Sequence, residues 1–318
     1  MRHGIEILKG GRPVHRRDFQ FRLIRYASYF IGFLLFYSPA ALVLRFFSGL
    51  DGKNLIGNLC DSLNLRMGVG GLLSLERWQA MDWTLGQVGI FAVMAVALVA
   101  GPLFCGWLCA AGAFTELVGR MVPDRFKLDV AGRVDAGAIR YGFLAGYVAL
   151  PFFGTGIGCS FCNFRVLEYF SMGVGSAFLP ALTSTYIVTT LLWLVVGGML
   201  LKGGRGWCVF LCPVGGIQNA MHAIGARLPF TAKMKFRAEA CRSCNNCVEV
   251  CPMRAITPAA EGDWADAAAG PGIRLGLNTC ITCQQCVAAC PHGALSYGIG
   301  PLAVPGRAPA PLEDAARP

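Results

Sequence analysis

Eight of the fifteen cysteines fall into two copies of one spacing, Cys-x2-Cys-x2-Cys-x3-Cys-Pro. The first copy ends at Pro252 and the second at Pro291. Iron–sulfur proteins use this spacing to hold two [4Fe-4S] clusters, and the fourth cysteine of each run binds the cluster of the other run. The predicted ligands are therefore Cys241, Cys244, Cys247 and Cys290 for cluster one, and Cys280, Cys283, Cys286 and Cys251 for cluster two.

The two runs also match beyond their cysteines. The sequence from Pro252 to Ile256 reads Pro-Met-Arg-Ala-Ile, and that from Pro291 to Leu295 reads Pro-His-Gly-Ala-Leu, so an apolar residue recurs where it would pack over each cluster. Zinc knuckles or disulfides need neither a third cysteine nor a proline at these offsets. The repeat predicts an α+β bacterial 2[4Fe-4S] ferredoxin-like domain over residues 231–300.

The remainder of the chain is strongly apolar. Of the 318 residues, 55 % are hydrophobic and only 14 % are charged. Apolar stretches near 18 residues or longer are typical of membrane helices. The composition predicts an α-helical polytopic membrane protein with four transmembrane helices, followed by the ferredoxin-like domain. The four predicted spans are 26–47, 85–104, 141–158 and 178–201.

The distribution of basic residues predicts the orientation of these spans. The formal charge is +10, and Lys and Arg concentrate in the amino-terminal stretch and after residue 201. The positive-inside rule then places both termini in the cytoplasm and the chain in the bacterial inner membrane, where it explains the charge better than nucleic-acid binding does. The predicted domains are a basic tail (1–25), a four-helix transmembrane domain (26–230), the ferredoxin-like domain (231–300) and a disordered tail (301–318).

Two further cysteine pairs share a second repeated spacing. Cys105 and Cys109, like Cys208 and Cys212, are four residues apart and belong to the pattern Cys-x2-Leu-Cys-x2-Gly. If each motif were helical, both cysteines of a pair would share one face of the helix. The facing pairs are candidates for a metal or a third cluster, for redox disulfides, or for buried structural thiols.

The last three cysteines lie outside these patterns. Cys159 and Cys162 form a Cys-x2-Cys pair on the predicted outer face, where they could act as redox thiols, form a plain disulfide or bind a metal. No histidine follows Cys162, so covalent c-type haem attachment is not supported. Cys60 has no assignment.

Four apolar spans, two Cys-x3-Cys motifs and a carboxy-terminal pair of ferredoxin runs resemble the polyferredoxin-type 4Fe-4S membrane proteins. That family includes the quinol dehydrogenase membrane subunit of periplasmic nitrate reductase and the ferredoxin-type membrane protein of methylamine utilisation. Its Cys-x3-Cys-Pro motif is matched fully by Cys208, Cys212 and Pro213, whereas Ala110 follows Cys109. The resemblance covers roughly residues 20 to 300.

The resemblance implies an electron-transfer subunit of an oxidoreductase system. Such a subunit would pass single electrons between the quinol pool or a cytoplasmic donor and a periplasmic redox protein or cytochrome. The alternative is a redox maturation or assembly factor for a respiratory oxidase or dehydrogenase. The two functions differ in when the protein is required. An electron-transfer subunit is needed for every turnover, whereas a maturation factor is dispensable once its client enzyme is complete.

Overall fold

The computed structural model describes residues 7–8, 12–13, 16–37, 85–130, 133–149, 162–164, 166–167, 184–258 and 273–300. The chain begins with a short antiparallel pair, β1 (Ile7–Leu8) and β2 (Arg12–Pro13), and the long helix α1 (Arg16–Phe36). The helices that follow are α2 (Leu85–Ala100), a π-helical turn (Phe104–Leu108), α3 (Ala110–Met121), α4 (Ala136–Ala149), α5 (Ser184–Thr190) continuing as a π-helix (Leu191–Leu200), α6 (Gly206–Phe210) and α7 (Pro213–Gly225).

The predicted polytopic membrane fold is wrong. In the described parts of the chain, no helix combines the length and the apolar composition needed to cross a membrane. α1 spans 21 residues but carries charged residues through its first half, whereas α2 and α4 span 16 and 14 residues. A transmembrane helix needs about 20 predominantly apolar residues. Residues 38–47, 150–158 and 178–183 of the predicted spans lie outside the described residues.

The end of α2 has a local cause. Gly101 adopts a left-handed backbone with φ 77°, and Pro102 follows without an amide hydrogen. This glycine and proline stop the α-helix at Ala100, and the chain re-enters a helical turn only at Phe104. The apolar sequence across 85–104 is therefore two helical pieces.

The helical part has a buried core that includes the cysteines of both Cys-x3-Cys motifs. Trp193 and Trp207 are almost fully buried there, next to the cysteines of both Cys-x3-Cys motifs. α7 packs along α2 and α4, while α3 packs along the π-helix that follows α5. The two motifs thus lie inside the helical part and not at its edge.

The ferredoxin-like part has the α+β architecture that was predicted for residues 231–300. β3 (Ala232–Phe236) pairs antiparallel with the last strand, β6 (Leu295–Ile299), so that Phe236 lies opposite Leu295. Between them, β4 (Ile256–Pro258) pairs antiparallel with β5 (Ile273–Leu275). Two short helices, α8 (Asn246–Val250) and α9 (Gln285–Ala289), pack against each other and carry the third cysteine of each run.

The helical part and the ferredoxin-like part are in direct contact. Asn219 of α7 donates hydrogen bonds to the carbonyls of Leu277 (2.9 Å) and Cys280 (2.8 Å). The hydroxyl of Tyr297 in β6 donates to the carbonyl of Ala100 at the end of α2 (2.7 Å). These bonds fix the cluster-two run against the helices.

Candidate iron–sulfur sites

The structure brings together the four cysteines predicted for cluster one. Burial and then the neighbouring thiols of Cys290, Cys244 and Cys241 raise the pKa of Cys247 to about 12. The same four cysteines line one cavity between β3, α8 and the start of β6. Cys290 comes from the second run, so the exchange of the fourth cysteine predicted from the spacing is present in the geometry.

The second set is arranged in the same way. Burial raises the pKa of Cys286 well above its usual value, and the thiols of Cys283, Cys251 and Cys280 raise it further. Burial likewise raises the pKa of Cys251, and the thiol of Cys283 raises it further. Cys251 of the first run thus lies among the cysteines of the second.

The backbone of the two runs repeats as closely as their sequence. Ser243 and Thr282, at equivalent positions, have φ 50° and 48°, and Asn245 and Gln284 have φ 58° and 59°. Left-handed backbone is uncommon for residues other than glycine and costs on the order of 1–3 kcal/mol, so its recurrence marks a loop shape that the site requires. Alternating right- and left-handed residues turn successive N–H groups toward one concavity, which suits an anionic group.

Backbone amides also point at the sulfurs. Ala255 donates its N–H to Sγ of Cys251 and Ala294 donates to Sγ of Cys290, both at 3.3 Å. Such bonds favour the thiolate over the thiol and are one of the means by which a protein adjusts a cluster potential. The two donors occupy equivalent places in the repeat.

The two sets differ in their exposure. In the loop of the first run, Arg242 and Ser243 are exposed and Cys241 and Cys244 are half-buried. In the loop of the second run, Ile281, Thr282 and Cys283 are all buried. One set therefore faces the surface and the other faces the helical part.

Both sets fit a [4Fe-4S] cluster. Among the described residues, no three side chains of Cys, His, Asp or Glu converge tightly enough to hold a single metal ion. The first set surrounds one cavity, and in both sets amide hydrogens are directed at the sulfurs. Such a donor set suits a cluster.

The Cys-x3-Cys motifs bring four more cysteines together, hereafter the four-cysteine group: Cys105, Cys109, Cys208 and Cys212. Burial raises the pKa of Cys105 well above its usual value, and the thiols of Cys109, Cys212 and Cys208 raise it further. All four side chains are free thiols and at most 9 % exposed. The structure thus places the two motifs side by side.

The helical geometry expected of each motif is not what the structure shows. Cys105 lies in the π-helical turn and Cys208 in α6, but each helix ends before the second cysteine. Cys109 (φ −73°, ψ 98°) and Cys212 (φ −75°, ψ 112°) are extended, and they cap the amino termini of α3 and α7. The second cysteine has the same extended backbone in both motifs, although Ala110 stands where the other motif has Pro213.

Two buried arginines flank the four-cysteine group. Arg205 is 1 % exposed and donates through Nη1 to the carbonyl of Cys105 at 2.9 Å. Arg140 is equally buried and donates through Nη1 to the carbonyl of Asn278 at 3.0 Å. Its Nε and Nη2 have no hydrogen-bond partner among the described residues.

A buried ionic network joins this region to α1 and to the cluster-two run. The carboxylate of Glu116 accepts hydrogen bonds from Arg25 (2.8 Å), Arg205 (2.8 Å) and Arg120 (2.9 Å). Burial alone would raise the pKa of Glu116, but these guanidinium groups hold it well below its usual range. Arg25 also donates to Oε1 of Gln285 at 2.8 Å, one residue before Cys286.

These arginines and Glu116 were missed by the sequence analysis. Arg25 had been assigned to a basic tail, yet it is 1 % exposed inside the molecule. The available signal was Glu116, the only acidic residue between Asp82 and Asp124 in an apolar stretch. A lone carboxylate there implies a buried cationic partner.

The remaining candidate cysteines are only partly described. Cys162 is half-buried, and its thiol is one of the groups that raise the pKa of Cys212 after burial. Cys159 and Cys60 lie outside the described residues. The redox role of the Cys159 and Cys162 pair stays a prediction.

Comparison with known proteins places both cysteine systems in iron–sulfur families. Residues 240–294 match the 4Fe-4S dicluster domain, and residues 83–129 and 185–230 match the 4Fe-4S binding domain. The second match covers each Cys-x3-Cys motif with its flanking helices. No solved structure matches the chain.

Three curated proteins are similar to parts of the chain. A methylamine utilization ferredoxin-type protein, MauN of Methylorubrum extorquens, is 30 % identical over 49 % of this chain and 49 % of its own length. YccM of Escherichia coli, named for electron transport, is 24 % identical over 50 % of this chain and 43 % of its own. Protein NirI of Paracoccus denitrificans is 27 % identical over 76 % of this chain and 32 % of its own. The chain thus spans between a third and a half of these relatives.

The two interleaved cysteine sets and the matching domains define an iron–sulfur protein that binds [4Fe-4S] clusters. Within that class, the matching domains and the three relatives support the predicted polyferredoxin-type 4Fe-4S family. The predicted family and cofactor are both confirmed.

Proposed function

We propose that this protein carries single electrons between a partner that docks at the exposed loop of cluster one and a site inside the helical part. The difference in exposure between the two cluster runs carries the proposal. The loop with Arg242 and Ser243 faces the surface, while the loop with Thr282 is buried against the helices. An electron that enters at the first set therefore has the second set between it and the interior.

Each [4Fe-4S] cluster, when bound, gains and loses one electron at a time. The residues of the chain hold the two sets in a fixed order and exclude water from the second. The Arg25 guanidinium lies near Cys283 and bonds to Gln285, so it places a positive charge beside the cluster-two ligands. A buried positive charge favours the reduced, more negative state of a nearby redox centre.

The partners follow from the resemblance. We propose the quinol pool or a cytoplasmic donor on one side and a periplasmic redox protein or cytochrome on the other. A quinol would release its electron pair one at a time together with its protons, and a one-electron redox protein would accept the electrons singly. What supports this is the naming of relatives for electron transport and ferredoxin-type function.

We further propose that the ferredoxin-like part faces the cytoplasm. What supports this placement is that a reducing compartment keeps cysteine thiols available for cluster loading. Association with the inner membrane stays a prediction, and cell fractionation checks it.

The electron-transfer proposal is tested by rapid-mixing kinetics with anaerobically purified protein. A water-soluble quinol and a c-type cytochrome serve as the electron donor and the electron acceptor. We expect Arg242→Glu to change the rate of electron exchange with the cytochrome about tenfold, with a strong dependence on salt. Arg227→Glu, at an exposed position on the helical part, is the matched control and should leave the rate unchanged.

Two results would count against this assignment. Equal rates for wild type and Arg242→Glu would show that electrons do not pass at the loop of cluster one. A protein that is needed only while a client enzyme is being assembled, and not during its turnover, would favour the maturation role.

A further inference from the structure

We propose that the four-cysteine group binds a third iron–sulfur cluster, with Arg140 and Arg205 balancing its negative charge. The inference deepens the proposed electron-transfer function. The role of the third cluster rests on that function, whereas the presence of the cluster does not. Four observations carry it.

The first observation is the form of the motif. Cys109 and Cys212 stand at the amino termini of α3 and α7, helices of 12 and 13 residues, with the same extended backbone. Helix amino termini stabilise thiolates, because free N–H groups and the helix dipole favour negative charge there. Gly215 donates its N–H to Sγ of Cys212 at 3.4 Å, as alanines do to Cys251 and Cys290 in the ferredoxin-like part.

The second observation is unbalanced buried charge. Arg205 shares Glu116 with Arg25 and Arg120, so one carboxylate serves three guanidinium groups. Arg140 donates only to a carbonyl, and its Nε and Nη2 are left without partners in the described structure. An unpaired buried cation is costly, and a nearby anion removes that cost. A cube held by four thiolates is such an anion.

The third observation is how the arginines reach the sulfurs. A Cβ on Gly215 would lie 2.3 Å from Nη2 of Arg140 and 3.7 Å from Sγ of Cys212. A Cβ on Gly112 would lie 2.7 Å from Nη1 of Arg205 and 3.4 Å from Sγ of Cys208. Both glycines occupy the same place in the repeated motif, Cys-x2-Gly. Each makes room for a guanidinium group beside a thiol, which a structural or disulfide role does not require.

The fourth observation is the position of the group. Gly106, between Cys105 and Trp107, lies against the cluster-two loop so closely that a Cβ there would be 2.3 Å from the carbonyl oxygen of Ile281 and 3.2 Å from Cα of Cys283. The four-cysteine group and the cluster-two ligands are thus separated by a single layer of backbone. A cluster in the group would add a third redox centre after cluster one and cluster two, further from the surface.

A single metal ion does not fit the same residues. No three candidate ligands among the described residues lie close enough together to bind one ion. The four cysteines come two from each motif, so their thiols belong to two separate segments of the chain. A cube takes four thiolates, one for each iron, and the group supplies four.

The deciding experiment is an iron and sulfide count on anaerobically purified wild-type protein, read together with Mössbauer and electron paramagnetic resonance spectra. We expect about twelve irons per chain and three cluster signals, since each cube holds about four irons. A count of about eight irons with two signals would overturn the proposal. The count requires no variant and no electron-transfer partner, so it is independent of the proposed function.

Variants assign the third signal to the four-cysteine group. Cys109→Ser combined with Cys208→Ser should remove about four irons and leave the other two signals. Cys162→Ser changes a half-buried neighbouring thiol outside the group and should keep the full iron content. Full iron content in the double variant would contradict the assignment.

The role of the arginine has its own readout. Arg140→Met keeps all four cysteines but removes the unpartnered buried charge, so it should shift one of the three midpoint potentials to more negative values. Arg140→Lys keeps the charge and should restore much of that potential. If all three potentials in Arg140→Met equal those of the wild type, Arg140 does not balance a cluster.

Discussion

At the scale of single residues, Glu116 is a buried carboxylate that pairs with three guanidinium groups. Its buried carboxylate joins Arg25 of α1, Arg120 of α3 and Arg205, which precedes α6. Buried ion pairs are not necessarily favourable overall, but removing one partner leaves the others uncompensated in a low-dielectric interior. The network therefore specifies how three segments meet near the cysteines.

Glu116→Gln should destabilise the folded protein by about 3–5 kcal/mol, because the guanidinium groups of Arg25 and Arg205 lose their counter-charge inside the molecule. Thermal unfolding of the iron-loaded protein measures the effect as a lower midpoint. Glu249→Gln changes an exposed carboxylate and serves as the control. Equal midpoints for the two variants would mean that the ion pairs contribute little.

The exchange of fourth cysteines is a second residue-scale prediction. Cys290→Ser should remove the same spectroscopic signal as Cys244→Ser, although the two residues belong to different runs. Cys251→Ser should match Cys283→Ser. The comparison uses electron paramagnetic resonance of the reduced variants, and pairing of Cys290 with Cys283 would show that the ligand sets are wrong.

At the scale of elements, the sequence predicted the repeated parts well and the helix ends poorly. The cysteine spacing was enough to anticipate the two interleaved sets, because short tethers leave few ways to bring four thiols together. Hydrophobicity was not enough to place the helices, since α2 stops at Gly101 and α1 begins at Arg16. Arg25 turns inward because it pairs with Glu116, which is 91 residues away in the sequence. The local sequence around Arg25 does not reveal that partner.

Gly106 tests the contact between the first Cys-x3-Cys motif and the cluster-two loop. Gly106→Ala should lower the thermal midpoint and perturb the cluster-two signal, because its Cβ would collide with the backbone at Ile281 and Cys283. Gly142→Ala in α4 is the matched control, since its Cβ meets nothing within 4 Å. That change should be neutral or stabilise the helix by up to about 1 kcal/mol. Identical behaviour of the two variants would indicate that the contact does not constrain cluster two.

At the scale of the whole molecule, solvent exposure decreases from the loop of cluster one to the interior. The described part of that interior is buried and contains charged side chains. The sequence anticipated the ferredoxin-like part and its cofactors but assigned the helical part to a membrane bundle. Apolar composition alone does not distinguish a lipid-facing helix from short helices that pack around buried cysteines and ion pairs.

The interior should also set a pH limit on stability through His222 of α7. Burial, and then the positive charge of Lys233, lower the pKa of His222 to about 4. In the unfolded chain His222 takes up a proton near pH 6.5, whereas in the folded chain it does so only near pH 4. Stability therefore falls as the pH drops from about 6.5 to about 4. His222→Gln should flatten this dependence in thermal unfolding measured from pH 5 to 7. An unchanged slope in the variant would rule His222 out as its source.

The interleaving of the two ferredoxin runs has a consequence for how the protein is made. With the predicted ligand sets, cluster one cannot be completed until Cys290 has left the ribosome. Cluster two cannot be completed until Cys280, Cys283 and Cys286 have left it. The first three cysteines of cluster one appear much earlier. The emerging chain therefore holds Cys241, Cys244 and Cys247 as an open, oxygen-sensitive triad until synthesis of the domain is almost finished. Cells that express this protein must protect that triad or deliver iron and sulfide only after translation has passed Cys290.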